Sequence, residues 1–279
     1  MARESFFVKF WGVRGSIPSP GAHTAGYGGN TPCLEVRCGG KLLVFDSGSG
    51  ARRLGNYLKE HCTERSLDLF FTHCHYDHIE GLPFFAPLHA KDWNIRMWSG
   101  HLEPPKNTAQ MVADFMQRPY FPIGPDCFQA TLEYRDFKPG NTLTPIENVS
   151  IRTAPLVHPD GAIGYRIDYA GRSICYVTDT EHTPGAPNKI IMQLIQDADI
   201  VIYDAAYTDE EFERYKGYGH STWQEGARLC EACNVGQYVV FHHRPGLPDV
   251  KLDEIAAKVE KMRPGSLVAR ENTVLHADH

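Results

Sequence analysis

The chain has 279 residues, 42% hydrophobic and 22% charged, which suits a packed core near the upper size of one single-core domain. Its formal net charge of −6 excludes a broad basic nucleic-acid surface, though not a local basic patch. No apolar run reaches the roughly 18 residues of a membrane span, and Met1–Ser5 carries no apolar signal core, so a cytoplasmic protein with its eight cysteines reduced is expected.

Phe6–Phe10 reads as a first strand. Residues 12–32 are too rich in Gly and Pro for helix or strand, and form either a surface loop or one that lines a site. Arg14, His23 and Asn30 lie within it and could approach an anion. Cys33–Cys38 and Lys41–Phe45 flank Gly39-Gly40 and predict a hairpin whose second strand ends at Asp46-Ser47-Gly48. Residues 51–62 read as a helix with Leu54, Tyr57 and Leu58 on one face, and Leu67–Phe71 as the next strand. Asn94–Trp98 predicts a strand and Thr108–Gln117 a helix, followed by a proline-stiffened loop over 118–126. Four strand-like runs follow, Ala130–Tyr134, Val149–Thr153, Ala162–Tyr169 and Ser173–Val177, the last two joined by a turn at Gly171.

Lys189–Gln196 is helical, and Ile200–Tyr203 is a short buried strand ending at Asp204. Ser221 reads as the cap of another helix, with Gln224 closing a capping box, and that helix runs to about Asn234. Cys230 and Cys233 have a redox spacing, but they fall inside this helix with no second pair and read as packing. Tyr238–Phe241 is a strand that ends at His242-His243. Leu252–Met262 is a helix, and Ser266–Leu275 holds a last strand. Strands and helices intermix with several hairpins, so a layered α/β architecture forming one domain over 1–279 is expected.

The chemistry concentrates where the Leu67–Phe71 run stops. His73, His75, Asp77 and His78 fall within six residues. Neutral imidazoles with a carboxylate suit zinc, iron or manganese. Three further positions place a ligand-type residue straight after an apolar run: His158, Asp179 and His242. Together they supply seven ligand-type residues, enough for two divalent ions, and a carboxylate such as Asp179 can bridge a pair of cations.

His73-x-His75-x-Asp77-His78, followed by separated His, Asp and His, resembles the metallo-β-lactamase fold. The resemblance implies an αβ/βα four-layer sandwich, two mixed β-sheets flanked by helices, with a dinuclear site at one sheet edge. It implies that His73, His75 and His158 hold one metal, that Asp77, His78 and His242 hold the other, and that Asp179 bridges them. Asp46 before Gly48 is similar to the family's early Asp-x-Gly, where the aspartate supports a ligand from behind. Between His242 and His243, the family's His-x-x-Pro pattern and the end of the apolar run both favour His242.

Gly219-His220-Ser221-Thr222 is similar to the His-Ser-Thr segment of the RNase Z-like phosphodiesterase branch. Carried over, this gives His220 a catalytic role at the scissile phosphate, beside Asp77, which is expected to ligate and to orient the nucleophile or take its proton. A histidine just before a helix N-terminus also lies near a partial positive charge that favours phosphate. tRNA-processing relatives usually insert a long arm between the third histidine and the bridging aspartate. Here only twenty residues separate His158 from Asp179, so tRNA is not expected as the substrate. The expectation is a hydrolase for a small phosphodiester or nucleotide (cyclic nucleotide, cyclic ribose phosphate or RNA-type) with two divalent ions, zinc before manganese or iron. The alternatives are a hydrolase of the same fold acting on a thioester, lactone or lactam, or a metal-binding accessory protein. A homodimer through 118–128 is compatible with the branch.

Overall fold

The computed structural model describes residues 5–277; the segment Met1–Glu4, read above as lacking a signal core, lies outside the described residues. Two mixed sheets of seven strands face each other. The first takes β1 (Phe6–Gly12), β2 (Cys33–Cys38), β3 (Lys41–Phe45), β4 (Ser66–Phe70), β5 (Asn94–Ser99) and β6 (Thr131–Asp136) in chain order. The second takes β7 (Thr142–Ile146), β8 (Val149–Leu156), β9 (Ala162–Tyr169), β10 (Arg172–Val177), β11 (Ile200–Asp204), β12 (Gln237–Phe241) and β13 (Leu267–Val268), and β14 (Val274–His276) returns to the free edge of β1.

The expected hairpins form. β2 pairs with β3 from Cys38 against Lys41, and β9 with β10 from Tyr169 against Arg172 across Ala170-Gly171. In each case β-rich runs flank a turn at positive φ, with Gly39 at 61° in the first and Ala170 and Gly171 at 51° and 78° in the second. β3, β4, β5 and β6 run parallel, as do β10, β11 and β12. Their carboxyl ends therefore gather at one edge of the sandwich, where loops rather than strand pairing decide what is presented.

Three apolar layers explain the strand burial. Phe45, Phe70, Tyr165, Tyr176 and Phe241 pack between the sheets, with Phe45 stacked on Phe70 at 5.1 Å. Strands buried on both faces read as continuous apolar runs, which is why β4, β11 and β12 were legible. Helices α1 (Gly50–His61), α2 (Tyr76–Ile79) and α3 (Thr108–Phe115) belong to the first half of the chain, and Leu54, Leu58, Met111 and Val112 of α1 and α3 cover the outer face of the first sheet. In the second half are α4 (Lys189–Ile195), α5 (Asp209–Phe212), α6 (Trp223–Ala232) and α7 (Asp249–Met262); Ile191, Ala227 and Val259 of α4, α6 and α7 cover the second sheet. The order helix, sheet, sheet, helix is the four-layer sandwich the resemblance implied.

Three local expectations are corrected. The α6 cap is Thr222, whose hydroxyl accepts the Glu225 amide at 3.1 Å; Ser221 turns inward instead, to His182 Nδ1 at 2.8 Å. Gln224 does not close a box, because its amide oxygen accepts the Asp209 N–H at 3.1 Å. The run Ser266–Leu275 is not one strand: β13 and β14 join different sheets, and the bend at residues 269–273 carries the chain across. β7 was not expected because Pro145 interrupts it, but it sits at a sheet edge, where a missing N–H is tolerated. All eight cysteines are free thiols, and Cys230 and Cys233 are buried in the outer core, as the packing reading required.

Candidate metal centre

Every ligand-type residue named from the sequence comes to the same edge. His73 lies just past β4, and His75 caps α2, whose first turn holds Asp77 and His78. His158 follows β8, Asp179 follows β10, and His242 follows β12. Asp46, Asp179 and His242 have positive φ of 59°, 56° and 63°, a conformation non-glycine residues seldom adopt. The chain turns sharply at the end of three separate strands, and each turn aims a side chain into the edge.

The donor atoms form four overlapping groups, and two of them, His73 with His78 and His242 with Asp204 and His220, are completed by Asp179. His73, His75 and His158 present ring nitrogens within 4.8 Å of one another, and so do the donors of Asp77, His78 and His242. Asp179 faces both: Oδ2 lies 3.1 Å from His78 Nε2 and 3.3 Å from His242 Nε2, while Oδ1 lies 3.8 Å from His158 Nε2. Its two oxygens thus point to different groups, the disposition a bridging carboxylate needs.

The imidazoles are held in ligand form from behind. His78 donates from Nδ1 to Asp46 Oδ2 at 2.8 Å, and His158 donates from Nδ1 to the Gly219 carbonyl at 2.8 Å, which leaves Nε2 of each ring facing the cluster. Asp46 is itself fixed by the Thr72 amide at 2.8 Å and the Tyr176 hydroxyl at 2.9 Å. It stands behind the ligands, as the resemblance implied.

The charge balance fits cations. Burial pushes His73 well below its usual range, toward the neutral ligating form, and its Nε2 is buried without a partner. Burial pulls His78 down, yet Asp77, Asp179 and Asp46 lift it well above its usual range. Burial would raise Asp77 and Asp179, yet His78 and His242 hold both carboxyls well below theirs. Two ionised carboxylates buried against imidazoles stabilise positive charge strongly, and the oxygen and nitrogen donors suit divalent ions.

His220 sits at the rim, its side chain 11% exposed. Its Nδ1 donates to Asp204 Oδ2 at 3.0 Å and lies 3.6 Å from Asp179 Oδ1, which leaves Nε2 as the free ring nitrogen. Burial would lower it, but Asp204, through charge and hydrogen bond, with Asp179 and Asp77 behind, lifts it to about 9.

The profile of the Beta-lactamase superfamily domain matches residues 43–243, which contain every residue of the cluster. The chain belongs to the β-lactamase superfamily. It is 27% identical to the ribonuclease Z of Bradyrhizobium diazoefficiens across 95% of this chain and 98% of the relative. That alignment spans 313 positions, more than the 279 residues here, so the relative carries segments with no counterpart in this chain. Among solved structures, the metallo-β-lactamase fold protein YhfI from Bacillus subtilis superposes with a TM-score of 0.74 at 16% identity, over 98% of this chain and all of that one. A diphosphatase of the PhnP family superposes with a TM-score of 0.71 at 18% identity, over 97% of each chain. These likenesses show the metallo-β-lactamase fold, and the edge cluster offers donors that could hold divalent metal ions.

Several residues of this superfamily member's site were not singled out from the sequence. Asp204 carried the signal used elsewhere, a polar residue ending an apolar run; it pairs with His220, and the two share a donor group with Asp179 and His242. Segment 12–32 lines the site through its backbone: the Ser16 N–H reaches Asp77 Oδ2 at 2.7 Å, and a Cβ on Gly15 would fall 2.3 Å from the His242 ring. Arg14 is corrected from anion contact to scaffold, since it is fully buried and donates to the Gly28 and Leu247 carbonyls, both at 2.7 Å. Asn30 is likewise spent, on Glu271, and His23 is exposed. His243 turns away from His242, with Nε2 on the Ala269 carbonyl at 2.8 Å, and burial lowers it to about 3.

Proposed function

We propose that the chain is a dinuclear metal-dependent phosphodiesterase acting on a small phosphodiester. The observation that carries this reading is the His220–Asp204 pair set against Asp179, a carboxylate shared by two of the donor groups. In the proposal His73, His75 and His158 hold one ion, Asp77, His78 and His242 hold the other, and Asp179 serves both. Zinc is the proposed metal, with manganese and iron compatible with the same donors. When bound, a pair of divalent cations acidifies water and offsets charge on phosphate oxygens.

The chain's own residues account for the rest. The Ser16 amide fixes the Asp77 carboxylate, which orients the attacking water. Asp204 holds His220 by Nδ1, so its Nε2 can donate a proton to the leaving alkoxide and face the charge that builds on phosphorus oxygens. The near neighbours named ribonuclease Z and PhnP-family diphosphatase support phosphorus chemistry.

The compact β9–β10 hairpin, closed by Ala170-Gly171 between His158 and Asp179, supports a small substrate over a folded tRNA. A side-by-side assay tests the reading. The metal-loaded protein is expected to turn over bis-p-nitrophenyl phosphate faster than an S-acyl thioester. The reverse order would assign it to the acyl-hydrolysing side of the fold, and inertness towards both would favour an accessory metal protein.

A further inference from the structure

Glu181 lies two residues past Asp179 and belongs to none of the donor groups, yet it ties three site segments together. Its backbone N–H donates to the Val157 carbonyl at 2.7 Å, which fixes the residue just before His158. One of its carboxylate oxygens, Oε2, accepts the amides of Gly217 at 2.6 Å and Gly219 at 3.0 Å. Gly219 in turn accepts His158 Nδ1 at its carbonyl and immediately precedes His220. The fit there is tight: a Cβ on Gly219 would fall 2.2 Å from His158 Nδ1 and 2.4 Å from Pro159. Gly217 and Gly219 both have positive φ, 88° and 83°, so the loop turns its two amides toward the one oxygen.

We propose that Glu181 is the positioning residue of this centre: it holds loop 217–219 so that one peptide sets the His158 ring and the next residue presents His220. The inference rests on the phosphodiesterase reading only for the role of His220; the His158 half stands on the donor geometry alone. One acceptor oxygen shared by two amides fixes a loop more firmly than a single contact would, because both bonds must be lost before the loop can move. A merely structural glutamate at this place would lower stability when removed and leave the ligand ring alone. A positioning glutamate would change metal affinity and the chemical step, since partners behind a metal ligand control its orientation.

Three proteins decide it: the parent, Glu181→Ala and Glu181→Gln. Glutamine keeps an oxygen that can accept both amides; alanine keeps none. Zinc affinity by competition with a chelator is expected to fall about 10–100-fold in Glu181→Ala and to stay within about threefold of the parent in Glu181→Gln, a change under 1 kcal/mol. The kcat for a phosphodiester is expected to follow the same order with KM nearly unchanged, while the metal-free melting temperatures of the three proteins stay close. Parent-like zinc affinity in Glu181→Ala overturns the proposal. So does a Glu181→Gln as damaged as Glu181→Ala, which would make charge rather than amide acceptance the cause. So does a loss of affinity accompanied by an equal loss of metal-free stability. If the parent itself turns over no phosphodiester, that failure belongs to the functional reading, and the zinc affinities still judge the His158 half.

Discussion

Replacing His220 with alanine is expected to lower phosphodiester turnover by about 10²–10⁴-fold, the range a positioned proton donor contributes, while metal content stays at the parent level. Metal should remain because the His73, His75, His158 and the Asp77, His78, His242 groups are complete without His220, whose Nδ1 is engaged by Asp204 even though its ring also neighbours Asp179 and His242. The loss should depend on the leaving group. A p-nitrophenolate departs without a proton and an alkoxide does not, so the fold-loss should be much greater for an alkyl diester. Equal losses on both would make His220 an electrostatic contact instead of an acid. Asp204→Asn tests the partner. It removes the carboxylate that accepts His220 Nδ1 and keeps the side chain's size. Combined with His220→Ala it should cost little more than His220→Ala alone, because residues acting as a unit are not additive.

The second large effect is expected at Asp179. Asparagine there keeps the shape, but it removes the anion whose two oxygens face different donor groups. Turnover should fall by at least about 10³-fold, beyond the roughly 10–100-fold typical of a change behind a ligand. A readout apart from activity comes from linkage. Zinc that binds only the folded protein raises its melting temperature, and this rise should be largely lost in Asp179→Asn. A variant that retained the full rise would show that the two donor groups bind independently of Asp179. Asp179 is buried and lies two residues past the end of β10 with a positive φ, so the effect should not spread to the strand itself.

These two residues also mark what could be read from sequence and what could not. The cluster His73 to His78 was legible because an apolar strand cannot end in three histidines without a purpose for them. Asp179, His158 and His242 followed from the same pattern, and a layered α/β domain followed from hairpin turns and buried runs, whereas the two-sheet sandwich followed from the resemblance. What escaped depended on contacts made by backbone. Ser16 reaches Asp77 through its amide, and Glu181 reaches Gly217 and Gly219 through theirs, so the residue type at the far end leaves no trace. Arg14 was misread because an arginine in a glycine-rich loop suggests anions, whereas here two carbonyls and Asp249 absorb it. Ser221 and Thr222 are both good caps, and the choice was made by His182 and Tyr203, which draw the serine hydroxyl inward. The split of β13 from β14 could not be read from a single β-rich run, since partner choice is set by which sheet edge is open.

The most direct test is a titration of zinc into chelator-stripped protein, followed by the hydrolysis of bis-p-nitrophenyl phosphate. Activity is expected to be negligible at the start and to saturate at two equivalents per chain. Saturation with zinc by metal analysis, with no phosphodiester hydrolysed at any point of the titration, would contradict the account.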